Sequence, residues 1–211
     1  MTIAGMVPRW LAALLGAAAL VAAIAKAAED APSVADPPPG RLLIASAEIG
    51  DPRFARSVIL LLRHDSSGAL GVIINHPLGN RPLSAVLAEA ESKDGADSAV
   101  EGSIRVFLGG PVQPQLGFVI HSAEYHRPET LAVADQLAMT ATRDVLRDIG
   151  HHRGPVKYLF AVGYAGWGAG QLEGEIANHG WFTAPAEPDL VFDEERDAVW
   201  EKALARRTRE M

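Results

Sequence analysis

The sequence contains no cysteine among its 211 residues. Without a thiol, the chain can form no disulfide bond, no thiolate nucleophile and no zinc–thiolate site. Proteins of both oxidising and reducing compartments can lack disulfides, so this absence excludes three kinds of chemistry without assigning a cellular location.

A surplus of positive charge is also missing. The chain has 19 Lys and Arg against 26 Asp and Glu, a net charge of -7. Its basic residues are scattered, and the densest groups are His151–Arg153 near Lys157 and the tail with Arg206, Arg207 and Arg209. DNA binding depends on a concentrated basic surface, and no helix-turn-helix pattern is present. Direct nucleic-acid binding is therefore disfavoured.

No apolar run reaches the roughly 20 residues that span a bilayer comfortably. The longest uncharged run, Trp10 to Ala25, follows Arg9 and precedes the small-x-small sequence Ala25-Lys26-Ala27. This order predicts a cleaved signal peptide over residues 1–27, and hence a periplasmic or secreted protein without a transmembrane span in the mature chain. Cleavage would leave 17 basic against 26 acidic residues, a net charge of -9. Two alternatives stay open: an uncleaved anchor, or a start codon placed too far upstream, which would make the protein cytoplasmic.

The segment that follows the leader, residues 28–40, is rich in proline and has no apolar periodicity. Pro32 is followed by the run Pro37-Pro38-Pro39. Such a composition predicts an extended, solvated linker. The folded domain is then expected over residues 41–211, as a single domain, because the chain is too short for two large cores.

Short apolar runs predict the strands of this domain. The first three are 41–46, 57–64 and 68–75, and the last two of these are joined by a hairpin turn at 65–67. Runs that are apolar at every position suggest strands covered on both faces. Further strands are predicted at 104–112, 116–122, 130–140, 157–165, 181–186 and 190–192, and short helices at 81–91, 142–150, 170–178 and from Asp193. The sequence therefore predicts an α+β fold, a single domain with a mixed, largely buried β-sheet flanked by short helices.

Four glycines surround Trp167 in the stretch GYAGWGAGQLEGE, residues 163–175. Its spacing fits neither the dinucleotide fingerprint nor the P-loop, and the charges of Glu173 and Glu175 would oppose a phosphate at the following helix. Two interpretations remain. The stretch is a strand-to-helix loop whose glycines permit unusual backbone angles, or a rigid pocket wall with polar contacts from Gln171 and Glu173.

Catalytic and metal-binding patterns are weak. There is no G-x-S-x-G elbow, and the neighbours His64, Asp65 and Ser66 are typical of a hairpin turn, because chain stiffness prevents adjacent residues from stacking into a relay. A triad assembled from distant residues, such as Ser57 with His121, is neither supported nor excluded. The seven histidines show no specific ligand spacing, although His121 and His126 flank Glu124. No cofactor and no metal are predicted.

Taken together, the motifs are those of a known family. The blocks RLLIASAEIGDPRFARSVILLLRHDSSGALGVIINHPLG, VFLGGPVQPQLGFVIHS and VGYAGWGAGQLEGEIANHGWF, followed by LVFD, resemble in that order the YqgE/AlgH family of bacterial proteins over residues 41–204. The resemblance implies a single α+β domain with a mixed sheet, and no agreed catalytic residue or cofactor. Some members are labelled transcriptional regulators. The sequence departs from the family in its leader and in His76, where the family motif usually has arginine.

The leading hypothesis from the sequence is a non-enzymatic binding or interaction module. Glycine-dense turns without a recognisable catalytic set favour the shaping of a surface. The expected surface brings together three turns and one histidine: Asn75, Pro77, Gly109, Gly110, Gln113, His121, Trp167, Gln171 and Glu173. Its partner is an unknown protein or small molecule. The alternatives are a transcriptional regulator, from the family label, and a hydrolase that uses His121 with a serine or water.

The signal-peptide prediction is tested by N-terminal sequencing of the protein from fractionated cells. We expect the mature chain to begin near Ala28, because the Ala25-Lys26-Ala27 sequence has the small residues that signal peptidases require. A full-length product in the cytosolic fraction would contradict it.

Overall fold

The computed structural model describes residues 37–90 and 100–208. The predicted leader and the linker up to residue 36 lie outside the described residues, so both stay predictions. The described end of the linker contacts the domain, since Gly40 is buried and donates its backbone N–H to the carbonyl of Leu61 at 2.8 Å.

The part of the domain that the structure describes contains ten strands and five α-helices. The strands are β1 (Arg41–Ala45), β2 (Val58–Asp65), β3 (Gly68–Ile73), β4 (Pro77–Pro82), β5 (Ser103–Leu108), β6 (Val112–Ser122), β7 (Leu131–Ala134), β8 (Leu137–Thr140), β9 (Tyr158–Gly168) and β10 (Trp181–Pro185). The helices are α1 (Leu83–Ala90), α2 (Arg143–Gly150), α3 (Gln171–Ala177), α4 (Pro188–Val191) and α5 (Val199–Ala205), and short 3-10 turns occur at Pro52–Phe54 and Arg196–Ala198. The predicted α+β class is confirmed.

All ten strands belong to one curled sheet built around β9. The main order is β10-β1-β2-β3-β9-β6-β8-β7, and its neighbours are antiparallel. Strand β5 runs parallel to β9, and β4 lies antiparallel on β5. Strand β9 thus pairs with β6, with β5 and, near its carboxyl end, with β3. It connects every part of the sheet.

Apolar clusters cover both faces of the sheet. Along β1, Leu42 and Ile44 pack in one cluster with α4 and α5, whereas Leu43 and Ala45 pack in another with Trp167 and Trp181. Alternate side chains of a strand point to opposite faces, so both faces of β1 are buried. This explains why the strand is apolar at successive positions. A third cluster joins α1 and α2 to β5, β6 and β9.

The structure differs from the sequence expectations in three elements. Residues 190–192 are not extended: α4 spans Pro188–Val191 and its proline occupies the first helical turn, where a missing N–H costs nothing. Strand β4 was not expected, because PLGNRP has the composition of a turn. The glycine-rich stretch is not a loop up to Gly168, since β9 continues through it and pairs with β3.

The backbone at Gly163 is fixed by a crossing chain. Gly163 has φ of 74°, and an added Cβ would lie 2.4 Å from the carbonyl oxygen of Gly110. Gly109 donates to the carbonyl of Val162 and accepts from the N–H of Ile73, both at 2.8 Å. The turn after β5 therefore lies directly on the backbone of β9, and only glycine fits where they meet.

Gly163→Ala should lower the free energy of unfolding by at least about 2 kcal/mol, because alanine would be strained in φ and overpacked against backbone. The control is Gly174→Ala, an exposed helical glycine of α3 with nothing within 4 Å of its added Cβ. That variant should gain roughly 0.5–1 kcal/mol. Urea denaturation measures both. Equal stability of the two variants would contradict the role given to Gly163.

Candidate binding surface

The Asn75-His76-Pro77 turn is held by the buried side chain of Asn75. Its Oδ1 accepts the N–H of Val58 at 2.8 Å, and its Nδ2 donates to the carbonyl of Arg56 at 2.9 Å. Asn75 is 7% exposed. The carbonyl of His76 accepts the N–H of Leu108 at 2.9 Å, which places the turn beside the end of β5. Asn75 therefore fixes the chain between β1 and β2 and presents no amide at the surface, contrary to the expectation.

The turn after β5 was expected at the surface, but its two glycines are buried. Gly109 and Gly110 are buried against the backbone of Gly163 and Tyr164. Gln113, by contrast, is exposed and has φ of 45°, at an irregularity where β6 shifts register against β9. In this turn, the exposed side chains are those of Pro111 and Gln113.

The far end of β9 carries a buried tryptophan pair. The indole N–H groups of Trp167 and Trp181 both donate to Oε2 of Glu175, at 2.9 and 2.7 Å. The two rings meet edge to face, with centroids 5.8 Å apart. Gln171 donates to Oε1 of Glu175 at 2.8 Å and accepts the N–H of Gly168 at 3.0 Å. Trp167 and Gln171 are thus bonded inside the strand-to-helix junction.

Glu173 ties this junction to the start of the domain. Its Oε1 lies 3.2 Å from Nε2 of His64, and Nδ1 of His64 lies 2.9 Å from the carbonyl of Pro37. His64 was expected in the hairpin turn, but it is buried within β2. The turn itself is made by Asp65, whose Oδ1 accepts the N–H of Ser67 at 2.7 Å. Sequence reasoning missed the role of His64, because nothing in the local pattern links it to residues 37 and 173.

His121 is fully buried in a directional chain of hydrogen bonds. Its Nδ1 is 2.9 Å from the carbonyl of Ser122, which only accepts, so Nδ1 carries the proton. Nε2 then accepts from the hydroxyl of Thr140 at 2.9 Å, and Thr140 Oγ1 lies 2.8 Å from Thr130 Oγ1. Thr130 accepts the N–H of Arg127 at 3.0 Å. Burial lowers the pKa of His121, against the bond to Ser122 and the charge of Glu124. Both nitrogens of the ring are used, which contradicts its expected place on a binding surface.

The expected residues do not form one surface. Asn75, Pro77 and Gly109 lie beyond the carboxyl end of β3, whereas Trp167 pairs with Ala69 near its amino end. Five residue steps along a strand cover about 17 Å. The Asn-His-Pro turn and the Gly-Trp junction are therefore separate regions, and His121 is internal to a third.

A groove of about 390 Å³ lies beside the Asn-His-Pro turn. Pro77 of β4 and Arg105 of β5 form one wall, and the segment 194–198, which precedes α5, forms the other. Sequence reasoning identified Pro77 but missed Arg105 and Arg196, which are single arginines without a motif around them. We call this feature the Arg196 groove.

Arg196 is the unusual side chain of the groove. It is 7% exposed, and its guanidinium carbon lies 5.0 Å from the centre of the Phe107 ring. Its Nη1 donates to the carbonyl of Val191 at 2.8 Å, and its buried Nε has no hydrogen-bond partner among the described residues. Burial lowers the pKa of Arg196, and the charge of Glu194 opposes that shift.

The carboxylates around the groove are in part engaged elsewhere. Glu195 binds Nζ of Lys202 at 2.8 Å, and Glu194 makes a loose pair with Arg105 at 3.5 Å. The side chain of Glu194 is 89% exposed in that pair. An exposed ion pair of this kind contributes little free energy, so Arg105 remains available to another anion.

Neither a metal-binding cluster nor a membrane-spanning helix occurs in the described part of the chain. Within residues 37–90 and 100–208, no three His, Asp or Glu side chains lie together as a metal-binding cluster. None of the helices in the same part of the chain has the length and apolar character to span a membrane.

Comparison with known proteins places the chain among uncharacterised bacterial relatives. Residues 42–211 match the family described as AlgH-like, DUF179. A UPF0301 protein of Ruegeria pomeroyi is 46% identical over 166 residues, and the match covers 78% of this chain and 89% of that protein. A UPF0301 protein of Jannaschia sp. is 44% identical over 168 residues, and the match covers 78% of this chain and 85% of that protein. The solution structure of the AlgH protein from Pseudomonas aeruginosa is similar with a TM-score of 0.69 and 38% identity, over 83% of this chain and 92% of that one. A crystal structure of protein DIP2367 from Corynebacterium diphtheriae is similar with a TM-score of 0.64 and 25% identity, over 82% and 88%.

The bonding of His121 predicts a pH dependence of stability. Because its folded pKa lies below the ordinary value of about 6.5, the unfolded chain binds more protons between those two values. The free energy of unfolding should therefore fall as pH decreases from about 7 through that window, and His121→Gln should make the slope shallower. Urea denaturation as a function of pH measures it. The control for loss of a histidine is the exposed His179→Asn, and an equal change of slope in both variants would contradict the prediction.

Proposed function

Because the chain belongs to the AlgH-like family, and the names of the relatives described above state no activity, we propose its function from the geometry: it is a non-enzymatic binding module that docks an extended partner segment on β4. The observation that carries the proposal is the state of this strand. All six of its residues are exposed, including the apolar Leu78 at 60%.

Strand β4 is an open edge of the sheet. It pairs with β5 on one side, and no strand in the described part of the chain pairs with its other side. The backbone groups along such an edge are ready to pair with an added strand, and this is how several protein families bind extended peptides. Leu78 supplies an apolar contact for a side chain of that strand.

The ends of β4 limit the size of the partner. Pro77 and Pro82 have no backbone N–H, so donors are available only from residues 78–81. Four residues form too small a contact for a stable dimer of two folded copies, which needs about 1,200 Å² or more. The geometry favours a short extended segment of another protein. If the export prediction is correct, that partner is a protein of the periplasm or the exterior.

The alternative functions gain no support from the same structure. A hydrolase would need the lone pair of His121, which faces Thr140 inside the protein. A DNA-binding regulator would need a concentrated basic surface. The arginines are instead interspersed with carboxylates: Arg53 lies beside Asp51, Arg56 beside Glu201, Arg81 beside Glu89, Arg127 beside Asp148 and Arg206 beside Asp189.

Photo-cross-linking in the native cell tests whether a partner segment docks on β4. A photoreactive amino acid at Asn80 should give a discrete protein adduct, and Leu78→Asp should reduce that adduct at least about tenfold, because burial of a leucine contributes about 1.5–3 kcal/mol. Gel shift and mass spectrometry of the adduct provide the measurement.

The matched control is Val156, which is 81% exposed and lies far from β4 in sequence. Val156→Asp should leave the Asn80 adduct unchanged. The proposal is contradicted by the absence of an adduct, by equal losses in both variants, or by an adduct that proves to be a second copy of this chain.

A further inference from the structure

The buried guanidinium of Arg196 lacks most of the acceptors that its donors require. An arginine side chain carries five N–H donors and stays protonated in proteins. The described residues give Arg196 one acceptor, the carbonyl of Val191, and leave Nε without any. Buried polar groups are almost always hydrogen-bonded, because each one that is not lowers the stability of the fold. The side chain is therefore incomplete without another acceptor.

Arg196 also lacks a direct counter-charge. It forms no ion pair with a carboxylate of the described residues, and the Phe107 ring provides the contact on one of its faces. Arg105 lies close enough for its like charge to lower the pKa of Arg196. Two guanidinium groups thus line one groove of about 390 Å³, and one of them is nine-tenths buried. An oxyanion between them would satisfy donors of both.

We propose that the Arg196 groove binds a carboxylate group, held by Arg196 at the buried end and by Arg105 at the rim. Glu194, Glu195 and Asp197 line the same groove, so its summed charge is negative despite the two arginines. A dianionic phosphate is repelled by these side chains more strongly than a singly charged carboxylate. The ligand class is therefore a carboxylate of low charge.

The ligand enters by replacing Glu194 at Arg105. The existing pair is 3.5 Å long and largely solvated, so its loss costs little. The carboxylate belongs either to the end of a peptide or to a small organic acid, and both offer the same two oxygens. This carboxylate site goes beyond the proposed docking of a partner segment on β4 and does not depend on it. A strand that pairs with the backbone of β4 needs neither the Arg196 nor the Arg105 side chain.

The test uses four probes with the purified chain: an N-acetylated tetra-alanine acid, its C-terminal amide, acetate and inorganic phosphate. Backbone amide shifts at residues 105 and 194–198 report binding by NMR. The acid should bind at least about tenfold more tightly than the amide, because a hydrogen bond to a charged group contributes about 1.5–3 kcal/mol. Binding of acetate as tight as that of the peptide acid would identify a small organic acid as the ligand, and weaker binding of acetate a peptide end.

The variants Arg196→Gln and Arg105→Gln should each remove most of the preference for the acid. The matched control is Arg207→Gln, since Arg207 also lies over an aromatic ring, Phe182, at 5.5 Å but outside the groove. It should keep the preference. If Arg196→Gln does not fold, Arg105→Gln tests the proposal by itself, because the Arg105 side chain is exposed and its replacement should not prevent folding. Equal binding of acid and amide, tighter binding of phosphate, or equal losses in all three variants would overturn the proposal. None of these results bears on the cross-linking at β4.

Discussion

The crossing of the Gly109–Gly110 turn over Gly163 is the constraint on which the rest of the fold depends. Three strands meet there, because Gly109 bonds to Val162 of β9 and to Ile73 of β3 directly after β5 ends. Two backbones in van der Waals contact leave no room for a Cβ. If the crossing opened, the pairing of β9 with its parallel partner β5 would weaken, and so would the attachment of β4, whose strand neighbour among the described residues is β5.

The carboxyl end of β9 is held by hydrogen bonds to carboxylates instead of by close backbone contact. Glu175 accepts both buried indole N–H groups, and Glu173 reaches His64, whose other nitrogen faces Pro37. Two carboxylates two positions apart on a short helix point in different directions, so one serves the tryptophan cluster and the other serves the start of the domain. Helix α3 therefore joins three distant parts of the chain.

The sequence predicted most of the strands because each is a short apolar run between turn residues. It could not predict β4, whose six residues bury nothing and whose strand state comes from β5 alone. It also placed Asn75, His121 and Trp167 at a surface, whereas all three are buried and bonded. Polar residues beside glycines look alike in sequence whether they bind a partner or another part of the fold, because their partners are set by tertiary structure, as Val58, 17 positions away, is for Asn75. Arg196 stands in no motif, so the sequence did not single it out.

Arg196 differs from the buried Asn75 and His121 in the balance of its hydrogen bonds. Asn75 finds partners for both ends of its amide, and His121 for both ring nitrogens. These networks stabilise the fold by themselves. Arg196 is buried to a similar degree yet keeps an unpaired Nε, and the aromatic ring of Phe107 offsets only part of the cost of desolvation. Other buried polar atoms of the described residues also lack a partner, such as Oγ of Ser46 and Oγ of Ser57, but Arg196 is the one among them that lines the groove. Its guanidinium is therefore the group that a ligand in the groove can satisfy.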